Sequence, residues 1–129
     1  KAMIVNNSSV SGIMHLPCTT TYTAAKTGVV AFSSSLRQDL KGTNVNVLTL
    51  ITPGVKTRMF DDIAPKYSKH MDVSSLSTIT PDQYSVRVFK AIEKNQSVLL
   101  PTGAERVGVF IAQHFPQLFE KLASTRFKR

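Results

Sequence analysis

The sequence has no tryptophan, one cysteine and half as many acidic as basic residues. Each shortage narrows what the chain can do. A lone cysteine, Cys18, excludes an internal disulfide and suits a reducing compartment, so a cytoplasmic setting is expected. Zinc ligation has no basis, because His15 and Cys18 are neighbours while His70 and His114 lie far along the chain, with no paired ligand spacing. No metal site is expected. The chain has no run of about 18 apolar residues, so no transmembrane segment is expected. The apolar stretch after Lys1 gives way at Asn6 and Asn7, too soon for a secretory signal. The Asn-x-Ser matches at Asn6, Asn7 and Asn95 are therefore read as chance.

Acidic residues number 8 against 16 basic ones, a net charge of +8. The cations are scattered through helices and loops, and only Arg126, Lys128 and Arg129 form a short basic end. No Arg-rich recognition helix or aromatic platform accompanies them, so nucleic acid is not an expected partner and the charge reads as solvated faces.

What is present suffices for one domain with a core: 129 residues, 42% of them hydrophobic. Ala2 to Asn6 reads as a short buried strand, followed by a loop through Gly12 and Pro17. Thr20 to Lys41 reads as a long helix with Ala25, Val29, Phe32, Leu36 and Leu40 on one stripe and Gly42 as its stop. Val45 to Ile51 has the apolar run of a strand buried in a sheet, ended by Thr52-Pro53-Gly54. Residues 55–79 look irregular, with short helical pieces around Met59 and Tyr67.

Thr80-Pro81-Asp82-Gln83 opens another helix with a capping box, and Tyr84, Val88, Ala91 and Ile92 supply its apolar stripe. Ser97 to Leu100 reads as a third strand, and Ala104 to Ser124 as helix broken at Pro116. Three strands alternating with three main helices make an α/β chain, half of a parallel sheet.

Two features could carry chemistry. The stretch "IVNNSSVSG" ends a strand in two serines, which by itself needs no more explanation than a loop. At the start of the long helix, Tyr22 and Lys26 are an i,i+4 pair on one face. A cation beside a phenol favours the phenolate, which is what a general acid for a carbonyl oxygen needs near neutral pH. Such a pair is also frequent by chance.

The combination is far less common: Ser9 thirteen residues before Tyr22, "YTAAK" opening the helix, and "VNVLTLITPGVKT" ending the next strand in Pro53-Gly54 with Thr57 close behind. It resembles the short-chain dehydrogenase/reductase family, in its single-domain Rossmann branch, over nearly the whole chain. The resemblance implies that Ser9 orients the substrate carbonyl or hydroxyl. It makes Tyr22 the general acid or base, and gives Lys26 the tasks of lowering the tyrosine's pKa and binding the nicotinamide ribose. Pro53, Gly54 and Thr57 would lie at the carboxamide, although only Val55 and Lys56 separate Gly54 from Thr57 where the family commonly has three residues. NAD or NADP is the implied cofactor, a small-molecule alcohol or carbonyl compound the substrate, and a homo-oligomer the full-length form.

The six glycines include no Gly-x-Gly-x-x-Gly turn, the element on which the family rests the cofactor's pyrophosphate. The chain also starts at Lys1 and not at Met. Residues 1–129 are accordingly expected to be one partial domain, the C-terminal half of a doubly wound Rossmann-type fold. The expected function is NAD(P)-dependent interconversion of a secondary alcohol and a ketone. The alternative is a truncated, catalytically incompetent piece acting as a binding or scaffold element, or without function. Met59, Phe60, Ile63, Tyr67 and Met71, in the segment 58–79, are candidates for an apolar substrate pocket or for ordinary core.

Overall fold

A computed structural model describes residues 1–72 and 76–127. The positions 73–75 of the irregular segment, and Lys128 and Arg129 of the basic end, lie outside the described residues. Three parallel strands form one sheet in the order β1-β2-β3: β1 Ala2–Asn7, β2 Val45–Leu50 and β3 Val98–Leu99. Helix α1 spans Thr20–Asp39, the short helices α2 and α3 span Arg58–Asp61 and Ile63–Tyr67, and α4 spans Pro81–Glu93. Gly103–His114 and Pro116–Thr125 form α5 and α6. The fold is therefore α/β, with helices wound around a parallel sheet.

The central strand explains the layers. From Val47 to Ile51 every residue of and just after β2 is buried, as a strand covered on both faces must be. Because side chains alternate, Leu48 and Leu50 face one layer, where they join Tyr84 and Ala91 of α4 and Leu99 in one cluster. Val47 and Thr49 face the other, where Arg37 of α1 donates to the Val47 carbonyl at 3.3 Å and to Thr49 Oγ1 at 3.0 Å.

Local signals hold at the helix ends. Thr80 Oγ1 accepts from Gln83 N–H at 3.2 Å while Gln83 Oε1 accepts from Thr80 N–H at 3.3 Å, so both halves of the capping box form. Gly42 takes φ +86° just beyond α1, a conformation that favours glycine. The chain turns between α5 and α6 at Phe115, immediately before Pro116, because a residue preceding proline is driven out of the helical region.

One expectation needs correction. β1 is not buried: Ile4 and Val5 are 37% and 40% exposed. It has β2 on one side and no strand among the described residues on the other, so half of its surroundings are open. The stripe of α1 is partly covered, with Ala25 exposed and Phe32 60% exposed. The face that meets the sheet is mixed, with Val29, Val30, Leu36 and Leu40 half-buried beside polar groups. Ser33 is fully buried, accepts from Asn6 Nδ2 at 3.0 Å and donates to the Val29 carbonyl at 2.7 Å, while Arg37 reaches β2 and the Ser97 carbonyl. Hydrogen bonds thus add to the apolar packing at this contact.

Candidate active site

Strand direction places the candidate residues together. β1 and β2 are parallel, with Asn7 opposite Leu50, and the pairing continues through Ser8 N–H to the Leu50 carbonyl and Val10 N–H to the Thr52 carbonyl, each 2.9 Å. Ser9 and the Pro53-Gly54 turn therefore both leave the sheet at its carboxyl edge. That is where open α/β sheets bind ligands.

The two serines divide their tasks. Ser8 is 1% exposed and donates to the Lys26 carbonyl at 2.7 Å, which ties the strand end to α1. Ser9 caps the single 3-10 turn Val10–Gly12 by accepting from Ser11 N–H at 3.1 Å. That use occupies a lone pair and leaves the hydroxyl proton able to donate.

On α1, Tyr22 is 41% exposed and the Lys26 ammonium stands 5.7 Å from its ring centroid. Lys26 Nζ donates to the Asn7 carbonyl at 3.2 Å, so the pair is pinned to the end of β1. An ammonium has three donors, and two remain after this contact.

Gly12, read from the sequence only as part of a loop, is what allows this approach. A Cβ at Gly12 would stand 2.6 Å from Ser8 Oγ and 2.9 Å from the Lys26 carbonyl oxygen. The legible signal was a glycine three residues after the serine pair, in a segment that folds back against the helix.

A second group escaped the sequence reading. Thr52 Oγ1 donates to Asn7 Oδ1 and lies 2.9 Å from the Tyr84 hydroxyl, joining the ends of β1 and β2 to α4. With Thr52's proton directed to Asn7, Tyr84 is the donor to Thr52. Burial raises the Tyr84 pKa above that of an ordinary phenol, with the Arg87 charge opposing it, and so favours that donor state.

The Pro53-Gly54 turn is held from two directions. Gly54 C=O accepts from Ile79 N–H and Lys56 N–H donates to the Ile79 carbonyl, both at 2.9 Å. A Cβ at Gly54 would stand 2.7 Å from the Ser77 carbonyl oxygen and 3.0 Å from the Phe60 ring. Thr57 caps α2, its Oγ1 accepting from Phe60 N–H at 3.4 Å, so its hydroxyl has a local task beside any contact to a ligand. Phe60, Ile63, Tyr67 and Met71 are half-buried, whereas Met59 is 71% exposed.

A groove of about 580 Å³ runs past His15, Thr20, Ala24, Thr27 and Glu120. At 100° per residue, its α1 members lie on the side of the helix away from Tyr22, so it is separate from the candidate site. No helix among the described residues is long and apolar enough to cross a membrane.

A family model described as short chain dehydrogenase matches residues 1–68, more than half of the chain. The chain belongs to this family. The "Dehydrogenase/reductase SDR family protein 7-like" of Dictyostelium discoideum is 28% identical over 98% of this chain and 40% of its own length. Estradiol 17-beta-dehydrogenase 2 of Mus musculus is 31% identical over 82% of this chain and 27% of its own length. Among solved structures, an actinorhodin polyketide ketoreductase with NADPH aligns with a TM-score of 0.50 at 24% identity, covering 95% of this chain and 42% of that one. That likeness concerns the Rossmann-type fold. In each case this short-chain dehydrogenase chain spans less than half of the longer protein it matches.

Proposed function

We propose that the complete protein carrying this chain is an NAD(P)-dependent oxidoreductase that interconverts a secondary alcohol and a ketone. The observation that carries the reading is Lys26, tied to the Asn7 carbonyl and set beneath the Tyr22 ring at the carboxyl edge of the sheet. Family membership and the NADPH of the ketoreductase support the cofactor class. When bound, the nicotinamide supplies or accepts the hydride.

The chain's own residues handle position and proton. Ser9 donates its hydroxyl proton to the substrate oxygen and fixes its direction. Tyr22 gives a proton to that oxygen as it gains charge in reduction, and removes it in oxidation. Lys26 stabilises the negative charge that then develops on the phenol oxygen, and its two remaining donors suit the hydroxyls of a ribose. Pro53, Gly54 and Thr57 hold the carboxamide end. The pyrophosphate falls to residues outside these 129, since no glycine-rich phosphate turn is among them. The half-buried Phe60, Ile63, Tyr67 and Met71 favour a substrate of moderate lipophilicity, and the exposed Ala25 and Phe32 face of α1 suits self-association.

In the complete protein, Lys26→Met should lower kcat/KM by about 10²-fold, the usual cost of removing one preorganised electrostatic group. Lys26→Arg, which keeps the charge, should fall between the two. Steady-state kinetics decides: activity of the Met variant within about threefold of the parent would reduce Lys26 to a tether for Asn7.

A further inference from the structure

Glu105 stands in the first turn of α5, where an acidic side chain is ordinarily explained by the helix's own N–H groups. Here it turns to another task. Its Oε1 accepts from the Ser77 hydroxyl at 2.9 Å. Burial raises its pKa above the ordinary carboxylate value, with the Ser77 hydroxyl and the Gly54 N–H opposing the rise. The carboxylate joins the stretch ending in Ile79 to the start of α5, and the turn after β2 packs against that stretch.

The same turn has little freedom elsewhere. Gly54 packs so closely on Ser77 that even a methyl would meet its carbonyl oxygen, and Gly54 C=O and Lys56 N–H are both bonded to Ile79. Val55 and Ile79 form a parallel bridge between them. Glu105 closes this arrangement from the side by holding the Ser77 hydroxyl, and the Ser77 carbonyl lies against Gly54.

We propose that Glu105 is a positioning residue for the nicotinamide end of the cofactor, acting through Ser77 to fix the Pro53-Gly54 turn. The proposal rests on the oxidoreductase reading, in which that turn meets the carboxamide. A turn that holds the cofactor equally before and during hydride transfer contributes to KM and little to kcat. A carboxylate that merely starts a helix contributes to stability and to neither constant.

The test uses the complete protein, with cofactor kinetics, thermal unfolding and hydrogen exchange of the peptide covering residues 53–57. Glu105→Ala should raise the cofactor KM about tenfold, the loss of a charge-assisted hydrogen bond, with kcat within about threefold. Amide exchange at residues 53–57 should quicken in the same variant. Glu105→Gln, which still offers an acceptor oxygen, should recover most of both effects. Ser77→Ala should give a smaller rise in KM and serves if the Ala variant at 105 fails to fold. Unchanged exchange at residues 53–57 in these variants overturns the proposal whatever the enzyme's activity. An unchanged cofactor KM does so too, provided Tyr22→Phe still abolishes turnover. A parent without nicotinamide-dependent turnover would instead remove the oxidoreductase reading, leaving the exchange result to show whether Glu105 holds the turn.

Discussion

Tyr22→Phe in the complete protein should lower turnover by about 10² to 10⁴-fold, the range typical of a general acid or base. The substitution removes one oxygen and keeps the ring that faces Lys26. Tyr22 is 41% exposed, so the fold loses little packing, and the circular dichroism spectrum and unfolding midpoint should match the parent. Cofactor binding should also persist, because Lys26 and the Pro53-Gly54 turn are untouched. Loss of activity with loss of folding would point to a structural tyrosine, and activity within about threefold of the parent would remove the proton-transfer role.

Gly12→Ala should cost about 2–6 kcal/mol of stability. The added methyl meets two oxygens at once, Ser8 Oγ at 2.6 Å and the Lys26 carbonyl at 2.9 Å. Overpacking of this kind costs about 1–3 kcal/mol, and displacing the buried Ser8 hydroxyl from its acceptor adds a penalty of about 1–3 kcal/mol. Against a typical total of about 5–15 kcal/mol the loss is large. The midpoint of thermal unfolding should drop by several degrees, and activity should fall with it because Ser9 and Lys26 flank the contact. An unchanged midpoint would mean that the turn can move away from α1 freely, and that the approach of Ser8 to Lys26 is not a constraint.

Periodic and punctuated segments were the legible ones. β2 announced itself by an apolar run ended by Pro53-Gly54, and α4 by a capping box that forms as written. The pairing of Tyr22 with Lys26 follows from helical spacing alone, and the structure sets the ammonium over the ring. What sequence could not supply was contact between segments distant along the chain. β1 looked like core because its residues are apolar, yet exposure depends on how many neighbours a strand has. α1 showed its apolar stripe, but not that Ser33 and Arg37 add hydrogen bonds to Asn6, Thr49 and Ser97 on the same face. Thr52 and Tyr84 lie 32 positions apart, and Ser77 and Glu105 lie 28 apart. Neither pair leaves a local pattern, because each member is an ordinary residue for its own element.

Hydride transfer is the core of the account, and isotope tracing tests it most directly. The complete protein would be incubated with NADH or NADPH deuterated at the transferable C4 position and a panel of moderately lipophilic ketones, and the products read by mass spectrometry. The account predicts deuterium on the carbinol carbon of at least one product, with the yield collapsing in Tyr22→Phe. Alcohol formed without deuterium, equal labelling by the Phe variant, or no product from any ketone with either cofactor would contradict it.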